Sequence, residues 1–244
     1  PVALEQAHVF DVYDQIAVHW HHTRGIRKVY WHRVKDFLDS LPKGTLIADV
    51  GSGDGKYFGV NPGVVSIGCD RSEELLKVSW STEFETLCCD AVKLPYRDNV
   101  YDAAICIAVM HHLATVSRRL SLLSEMIRIV APGGFVVVQA WAQEQGETSK
   151  RTFESQDVLV PWQLQSTFTG KEQEKTGVEK KDGEENNGLV NTFPGNNTAK
   201  IFQRYCHVYK EGELEELCLR VPNTEIIETG WDKGNWFVKL CKVC

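Results

Sequence analysis

The chain has 244 residues, 43% of them hydrophobic and 25% charged, a composition typical of a globular protein large enough for one α/β domain. No apolar run approaches the roughly 18–20 residues that cross a bilayer, so the composition excludes a membrane-spanning protein. The formal net charge of −6 argues against nucleic-acid binding through overall charge. The eight cysteines lack the regular spacing of a disulfide scaffold, and several lie in apolar runs, which indicates reduced thiols of a cytosolic protein.

Two helices are predicted before the first strand. Apolar residues recur at helical spacing from Glu5 to roughly Trp20, and again from Trp31 to Leu41. Pro42-Lys-Gly44 closes the second helix, and an apolar strand follows from Thr45 to Val50. The chain therefore enters its first strand from a helical N-terminal region.

The stretch around the junction of these helices is basic and aromatic. From His19 to Lys35 there are five Lys or Arg residues, four histidines and no acids. One interpretation is an ordinary solvated helix face. The other is a phosphate-binding patch with Arg24 and Arg27 as substrate contacts. Three aromatic residues are interleaved with it, Trp20, Tyr30 and Trp31.

A glycine-rich turn follows the first strand and predicts a ligand site. Glycines occupy positions 51, 53 and 55, and Asp49 precedes them at the end of the apolar run. Without Cβ atoms, the backbone can turn sharply from strand to helix and lie close to a bulky ligand. Dinucleotide sites space their glycines G-x-G-x-x-G, whereas the third glycine here comes one residue early. The turn alone is weak evidence for a nucleotide-like ligand.

Acidic residues end two further predicted strands. The apolar run Val64–Asp70 ends in Asp70, 19 residues after Gly51. An acid at about 20 residues from such a turn lies on the neighbouring strand, where one carboxylate can bind two ribose hydroxyls. A short third strand, Phe84–Cys89, ends at Asp90.

The middle of the chain predicts a parallel sheet. The strand Tyr101–Val109 is apolar apart from Asp102, as expected of a central strand covered on both faces, and Met110-His-His-Leu113 follows its end. A helix is predicted from Ser117 to Val130, and after Pro132-Gly-Gly134 a fifth strand runs from Phe135 to Trp141. Alternating strands and helices predict right-handed crossovers and a ligand site at the carboxyl ends of the strands.

The composition changes after this region. From Thr169 to Thr198 the residues are mostly Lys, Glu, Gly, Asn and Thr, which predicts a mobile polar insertion within a single domain, residues 1–244. Beyond it a helix is predicted from Glu213 to Leu219. Two strands, Thr224–Trp231 and Asn235–Val243, then flank a hairpin turn.

The glycine turn, the three strand-end acids and the final hairpin resemble class I S-adenosylmethionine (AdoMet)-dependent methyltransferases. That class has an α/β, Rossmann-like, mostly parallel seven-stranded sheet with a C-terminal antiparallel hairpin. Further runs resemble one group within it, the eukaryotic tRNA methyltransferases that esterify 5-carboxymethyluridine at the wobble position, most of all the methyltransferase domains of members fused to AlkB-like dioxygenases. These runs are His8–Asp14, Ile107–Leu113, Pro132–Gly134, Ala140–Glu144, Gln156–Trp162 and Arg204–Glu213.

The resemblance covers essentially the whole chain except the polar insertion. Ser52 stands where the family often has Cys, and Leu113 where an aromatic residue is common, so both departures are modest. The opening Pro1–Glu5, which lacks Met, looks more like the fused members and suits a piece of a longer protein.

The resemblance implies AdoMet as the methyl donor. Asp49 would face its methionine end, Asp70 its ribose hydroxyls and Asp90 its adenine amino group. The implied cofactor-binding residues are Asp49, Gly51, Gly53, Gly55, Lys56, Tyr57, Asp70, Arg71, Asp90, Ala91 and Ala108.

The methyl acceptor implied by the resemblance is a carboxylate. With a pKa near 4 it is ionised at neutral pH, so the protein needs no general base but must hold one oxygen in line and clamp the other with a cation. Arg204 and His207 are the first candidates. They face opposite sides if their segment is a strand and share a side if it is irregular or helical. The remaining candidates are His111 and His112 for catalysis, and Arg24, Arg27 and Trp141 for substrate binding.

Two other functions fit the same residues, a methyltransferase for a different small acid and a non-catalytic AdoMet-fold scaffold. The resemblance implies tRNA and a small zinc-binding activator subunit, forming a heterodimer, as partners, no membrane, and a location in the cytoplasm that extends to the nucleus. Cys241-Lys-Val-Cys244 has the spacing of half a zinc site, but no second pair lies at suitable spacing and we predict no metal.

Overall fold

The computed structural model describes residues 2–26, 29–79, 84–147, 149, 151–164 and 200–244. The predicted insertion Thr169–Thr198 and the predicted substrate contact Arg27 lie outside the described residues.

A seven-stranded sheet with strand order β3-β2-β1-β4-β5-β9-β8 forms the centre of the fold. The first five strands in this order are mutually parallel, β9 runs antiparallel to β5, and β8 runs antiparallel to β9. The strands are β1 (Leu46–Val50), β2 (Val65–Asp70), β3 (Glu85–Cys88), β4 (Tyr101–Ile107), β5 (Val130–Trp141), β8 (Thr224–Trp231) and β9 (Asn235–Lys242). The predicted fold class, with its terminal antiparallel hairpin, is confirmed.

Helices cover both faces of this sheet. They are α1 (Val2–Glu5), α2 (Asp11–Trp20), α3 (His32–Ser40), α4 (Glu73–Ser79), α5 (Val116–Ile129) and α6 (Glu213–Leu219). On one face α5 and α6 bury Leu122, Met126 and Leu217 against the strands, and on the other α3 buries Val34 and Phe37. Because β4 lies between these layers, all its residues but Asp102 are buried, as the apolar run from Ala103 onward predicts. Among the described helices, none is long and apolar enough to cross a membrane.

The N-terminal region is helical from Val2 to Gly25. Two π-helical turns, Gln6–Phe10 and His21–Gly25, flank α2. The predicted helix from Glu5 to Trp20 is therefore present but extends further at both ends. The second predicted helix, Trp31–Leu41, corresponds to α3.

A separate two-stranded antiparallel ribbon was absent from the sequence prediction. It pairs β6 (Asp157–Leu164) with β7 (Lys200–His207). Pro161 lies inside β6, where a missing N–H is tolerated because the ribbon has no third strand to bond. The inner side of α2 packs on this ribbon, and the buried residues of that contact are Val12, Ile16, Trp162, Leu164 and Phe202.

Candidate active site

The glycine turn lies against the end of β4. Gly51 has φ of 81°, and a Cβ there would overlap the side chain of Val109, so only glycine fits. Gly53 has φ of 55°, yet its nearest neighbour in the Cβ direction is Leu75 Cδ1 at 3.9 Å. The first glycine therefore allows close packing, and the second leaves open space beside the turn.

Asp49 is a buried acid at the end of β1. Burial, followed by the charges of Asp70 and Asp54, raises its pKa to about 8. Its Oδ2 atom has no hydrogen-bond partner among the described residues. A buried carboxylate oxygen of this kind requires a donor, and the ammonium group of a methionine moiety supplies one. Asp49 thus fits AdoMet.

Asp70 holds the turn to β2. Its Oδ2 accepts a hydrogen bond from Gly53 N at 2.9 Å, and its Oδ1 accepts one from Ser72 N at 2.8 Å. Burial raises the pKa of this carboxyl, although these backbone donors oppose the shift. Each carboxylate oxygen can accept a second hydrogen bond, so the residue can still bind ribose hydroxyls.

Asp90 is engaged within the protein rather than standing free for an adenine. Its Oδ2 accepts from Arg118 Nη2 at 3.0 Å, and its Oδ1 accepts from Val92 N at 3.1 Å. Arg118 also pairs with the fully buried Glu5 at 2.7 Å. The contact predicted with the adenine amino group stays a prediction, and it requires this carboxylate to accept a further hydrogen bond.

The remaining predicted cofactor residues surround the same turn. Burial lowers the pKa of Lys56 and raises that of Tyr57, whose hydroxyl has no partner among the described residues. Arg71 is exposed, with its guanidinium 5.3 Å from the Phe10 ring centroid. Ala108 adopts φ of 62°, a left-handed conformation that is uncommon for a residue with a Cβ, at the end of β4. Gly55 (φ of 80°) and the half-buried Ala91 complete the set.

Arg204 on β7 is a buried cation without an anion. Its residue is 3% exposed, and no carboxylate in the described part of the chain forms an ion pair with it. The guanidinium carbon lies 4.9, 5.8 and 5.9 Å from the ring centroids of Trp162, Trp20 and Trp141. Its Nε has no partner, and Nη1 donates to Tyr13 Oη at 3.4 Å. We call this group of Arg204 and the three indoles the arginine box.

His112 lies beside the arginine box with both ring nitrogens engaged. Its Nδ1 lies 2.7 Å from the carbonyl oxygen of Tyr205, which can only accept, so Nδ1 carries the proton. Nε2 is then an acceptor, and the hydroxyl of Tyr13 donates to it at 2.9 Å. Burial lowers the pKa of His112 to about 3, so the ring stays neutral.

His111 stacks on Trp141, with ring centroids 4.8 Å apart and planes at 26°. The backbone N–H of Trp141 lies 3.4 Å from His111 Nδ1, which makes that nitrogen an acceptor. Burial, followed by the proximity of His112 and Arg204, lowers the pKa of His111 well below its usual value. This histidine is therefore neutral as well.

His207 is directed away from the arginine box. Since β7 is a strand, residues 204 and 207 face opposite sides. The His207 Nδ1 lies 3.0 Å from Asp157, and its Nε2 lies 2.8 Å from Glu213. The structure therefore brings Arg204, His111, His112 and Trp141 together but holds His207 between two carboxylates. The catalytic role predicted for His207 stays a prediction, and this placement does not favour it.

Further cations line the approach to the arginine box. The guanidinium of Arg151 lies 4.3 Å from the Trp141 ring centroid, and that of the exposed Arg24 lies 5.9 Å from the Trp162 ring centroid. Burial, Arg24 and Arg204 all lower the pKa of Arg151, so these three cations act on one another.

Three buried donors, His111, His112 and Cys206, lie within 4.8 Å of one another in the described part of the chain. Burial raises the pKa of the Cys206 thiol to about 12, which disfavours the thiolate that a metal needs. Both nitrogens of His112 are already hydrogen-bonded, and Arg204 places a positive charge beside the group. The cluster therefore fits a hydrogen-bonded core better than a metal centre.

Comparison with known proteins gives a consistent result. A family profile described as a methyltransferase domain matches residues 48–138. The tRNA (carboxymethyluridine(34)-5-O)-methyltransferase of Schizosaccharomyces pombe is 37% identical over 240 residues, which cover 97% of this chain and 97% of that protein. The chain belongs to the tRNA (carboxymethyluridine(34)-5-O)-methyltransferase family.

Other members of this family are longer. The relative with the same name from Xenopus tropicalis is 37% identical over 275 residues, which cover 98% of this chain but 41% of that protein. The chain spans about two fifths of the length of such animal relatives.

Solved structures agree on the fold. The complex between the Haloferax volcanii Trm112 methyltransferase activator and a putative methyltransferase matches with a TM-score of 0.59 and 14% identity, over 96% of this chain and 98% of that one. Other matching folds are described as AdoMet-dependent methyltransferases. Together with the geometry of Asp49, the glycine turn and Asp70, the matching methyltransferase domain identifies AdoMet as the cofactor of this family member.

Sequence reasoning missed two residues of the site, Tyr13, which contacts Arg204, and Arg151, which covers Trp141. Trp20 was expected in the basic aromatic stretch and Trp162 as a residue that stacks on a base, and both indoles lie against Arg204. Tyr13 and Trp162 both fall in runs that carry the family resemblance, which was the available signal. Their juxtaposition depends on the contact between α2, which the sequence predicts, and the ribbon, which it does not.

Proposed function

We propose that this chain transfers the methyl group of AdoMet to the carboxylate of 5-carboxymethyluridine at the wobble position of tRNA, giving the methyl ester. The family supports the substrate class, since its members carry that reaction in their names. The observation that carries the proposal is the arginine box, a buried guanidinium without a carboxylate partner among the described residues.

An unpaired buried charge destabilises a protein unless something compensates it. The indole rings around Arg204 compensate it in part through cation–π contacts, and the substrate carboxylate supplies the missing anion. An unmodified uridine has no charge to offer and leaves the guanidinium unpaired. The box thus selects a flat base that carries a carboxylate over one that does not.

The neutral histidines suit this chemistry. The acceptor carboxylate is ionised at neutral pH, so no residue has to remove a proton from it. AdoMet supplies an electrophilic methyl group when it is bound. Arg204 then holds one carboxylate oxygen, while His111, Trp141 and the other rings exclude water and orient the second oxygen.

The basic approach to the box suits an RNA backbone. We assign Arg24 and Arg151 to phosphates that flank the wobble nucleotide, and we extend that role to Arg27. The net charge of the chain is −6, so these cations form a local basic cluster. Since contacts to phosphates release counterions, tRNA binding should weaken steeply as the salt concentration rises.

We also propose a small zinc-binding activator subunit as partner, seated on the β3 edge of the sheet. The Haloferax volcanii methyltransferase of similar fold is described in complex with the Trm112 activator. Exposed apolar residues lie on and beside the β3 edge, Leu87 (45%) on β3 and Val65 (55%) on β2, although Glu85 on β3 is exposed as well. On β8 the exposed Ile227 (47%) lies between Glu225 and Glu228. Exposed apolar residues on an unpaired strand edge favour pairing with another chain. We propose the cytoplasm and nucleus as the location.

Mass spectrometry of nucleosides tests the function. Total tRNA lacking the ester would be incubated with the chain, the activator and isotopically labelled AdoMet. We expect label in a base-labile methyl ester of a wobble uridine. Label in another nucleoside, or none with the activator present, contradicts the proposal.

A further inference from the structure

Tyr13 on α2 connects the two groups that face the acceptor. Its hydroxyl donates to His112 Nε2, because that nitrogen is an acceptor once Nδ1 donates to the Tyr205 carbonyl. The oxygen of Tyr13 therefore presents its lone pairs to Arg204, whose Nη1 donates at 3.4 Å. Donation runs in one direction, from Arg204 to Tyr13 to His112 to the backbone.

This chain of hydrogen bonds orients the guanidinium. Burial raises the pKa of Tyr13, so the phenol keeps the proton that it donates to His112. Because Nη1 is directed at Tyr13 and Nε has no partner among the described residues, Nε and Nη2 remain as candidate donors toward a ligand. These adjacent donors can hold the carboxylate oxygen that does not receive the methyl group.

The next residue on α2 reaches the cofactor side. Asp14 Oδ1 accepts a hydrogen bond from Ser72 Oγ at 2.5 Å, and Ser72 N donates to Asp70. In the π-helical turn that directly follows α2, His21 Nδ1 lies 2.8 Å from Oδ2 of Asp54 in the glycine turn. The same helix thus forms part of the wall of both ligand sites.

We propose that Tyr13 is a positioning residue for the Arg204 carboxylate clamp, and that Asp14 links this clamp to the cofactor acid Asp70, so that cofactor and carboxylate acceptor favour each other's binding. The inference rests on the proposed function. Ordering α2 for one ligand lowers the cost of ordering it for the other, and such coupling is reciprocal.

The test measures dissociation constants by calorimetry for Tyr13→Phe, Asp14→Asn and the control Val18→Ala, a change at an exposed position on α2. The ligands are S-adenosylhomocysteine and three anticodon stem-loop RNAs that carry 5-carboxymethyluridine, its methyl ester or unmodified uridine at the wobble position. Tyr13→Phe should weaken the carboxylate RNA about tenfold and the ester RNA less than twofold, since only the carboxylate uses the oriented clamp. A merely structural role would weaken both RNAs equally, and that result overturns the positioning role.

Asp14→Asn tests the link separately. In the wild type and Val18→Ala, bound S-adenosylhomocysteine should tighten the carboxylate RNA about five- to tenfold, and in Asp14→Asn by less than twofold. An unchanged factor in Asp14→Asn, or none in the wild type, overturns the link.

If the wild type does not prefer the carboxylate RNA over unmodified RNA, the proposed function fails as well. If it does, and the variants match it, only this inference fails. If circular dichroism shows that Tyr13→Phe does not fold, Asp14→Asn still tests the link. Tyr13→His, which retains a hydrogen-bond donor, then tests the positioning role.

Discussion

At the residue scale, the two ligand sites are defined by buried groups that lack a partner within the described chain. Asp49 lacks a cation and Arg204 lacks an anion, yet each lies beside the place where its counterpart would bind. Such groups lower the stability of the free protein and raise its affinity for the missing ligand. This opposition between stability and binding gives a direct test.

Asp49→Asn should stabilise the ligand-free protein at pH 8, and much less at pH 5. The folded-state pKa of about 8 is above the value of 3.8 for the free side chain, so the folded state binds a proton that the unfolded state releases. Stability contributed by Asp49 therefore falls as pH rises from about 4 to 8. Each pH unit between these two pKa values costs about 1.4 kcal/mol, so we expect the variant to gain several kcal/mol in urea unfolding at pH 8 and only about 1–2 kcal/mol at pH 5.

The same variant should lose the rise in melting temperature that S-adenosylhomocysteine gives the wild type. Asp36→Asn, a change at an exposed acid on α3, serves as the control and should behave as wild type at both pH values. Destabilisation of Asp49→Asn at pH 8, or a retained ligand-induced shift, would contradict the role assigned to this acid.

Much of the cofactor side could be predicted from sequence because its signals are local. Asp49, Gly51 and Asp70 each end or follow an apolar run, and parallel strands bring their carboxyl ends together. Tyr13 and Trp162 do not lie at the end of an apolar strand of the parallel sheet. They meet Arg204 because β6 and β7, which lie far apart in the chain, pair as an antiparallel ribbon on which α2 packs.

At the element scale, the π-helical turn His21–Gly25 is seated on the glycine turn. A Cβ at Gly25 would overlap Asp54 Oδ2 and lie 2.7 Å from His21 Nδ1. The close packing against Asp54 and His21 therefore requires glycine at position 25. At a solvent-exposed helix position, alanine would be the more stable residue. The N-terminal region and the cofactor turn thus form one packed unit.

Gly25→Ala should destabilise the protein by about 1–3 kcal/mol, as other overpacking changes do. Asp54→Ala removes the obstacle, so Gly25→Ala should cost much less in that background. Chemical denaturation of the two single variants and the double variant measures this coupling. Additive effects would mean that the contact does not limit residue 25.

The ribbon is the element that sequence reasoning missed, and the reason is physical. Pro161 in β6 argues against a strand, and polar residues 165–199 separate the two partners. The terminal hairpin had a stronger sequence signal in the turn residues Asp232-Lys-Gly234. In the structure Lys233 and Gly234 adopt the positive φ values that this short turn requires.

At the scale of the whole molecule, the seven-stranded sheet has two terminal strands, β3 and β8, and the proposed activator interface lies on the β3 edge. Leu87→Glu on β3 should abolish co-purification with the activator and leave the fold intact, because it replaces an exposed apolar side chain of the proposed interface by a charge. Ile227→Glu on β8, where the native residue is similarly exposed at 47%, is the matched control and should keep the partner. Loss of the partner in Ile227→Glu alone would move the interface to the opposite edge.

The proposed function depends on Arg204 binding the carboxylate of 5-carboxymethyluridine. Its most direct test is the ratio of dissociation constants for two stem-loop RNAs that differ only at the wobble base, one with 5-carbamoylmethyluridine and one with 5-carboxymethyluridine. We expect a ratio of about a hundred in the wild type and close to one in Arg204→Gln, because a buried charge-assisted pair contributes about 1.5–3 kcal/mol. Arg151→Gln should weaken both RNAs by the same factor and keep the ratio. A wild-type ratio near one, or an unchanged ratio in Arg204→Gln, would contradict the account.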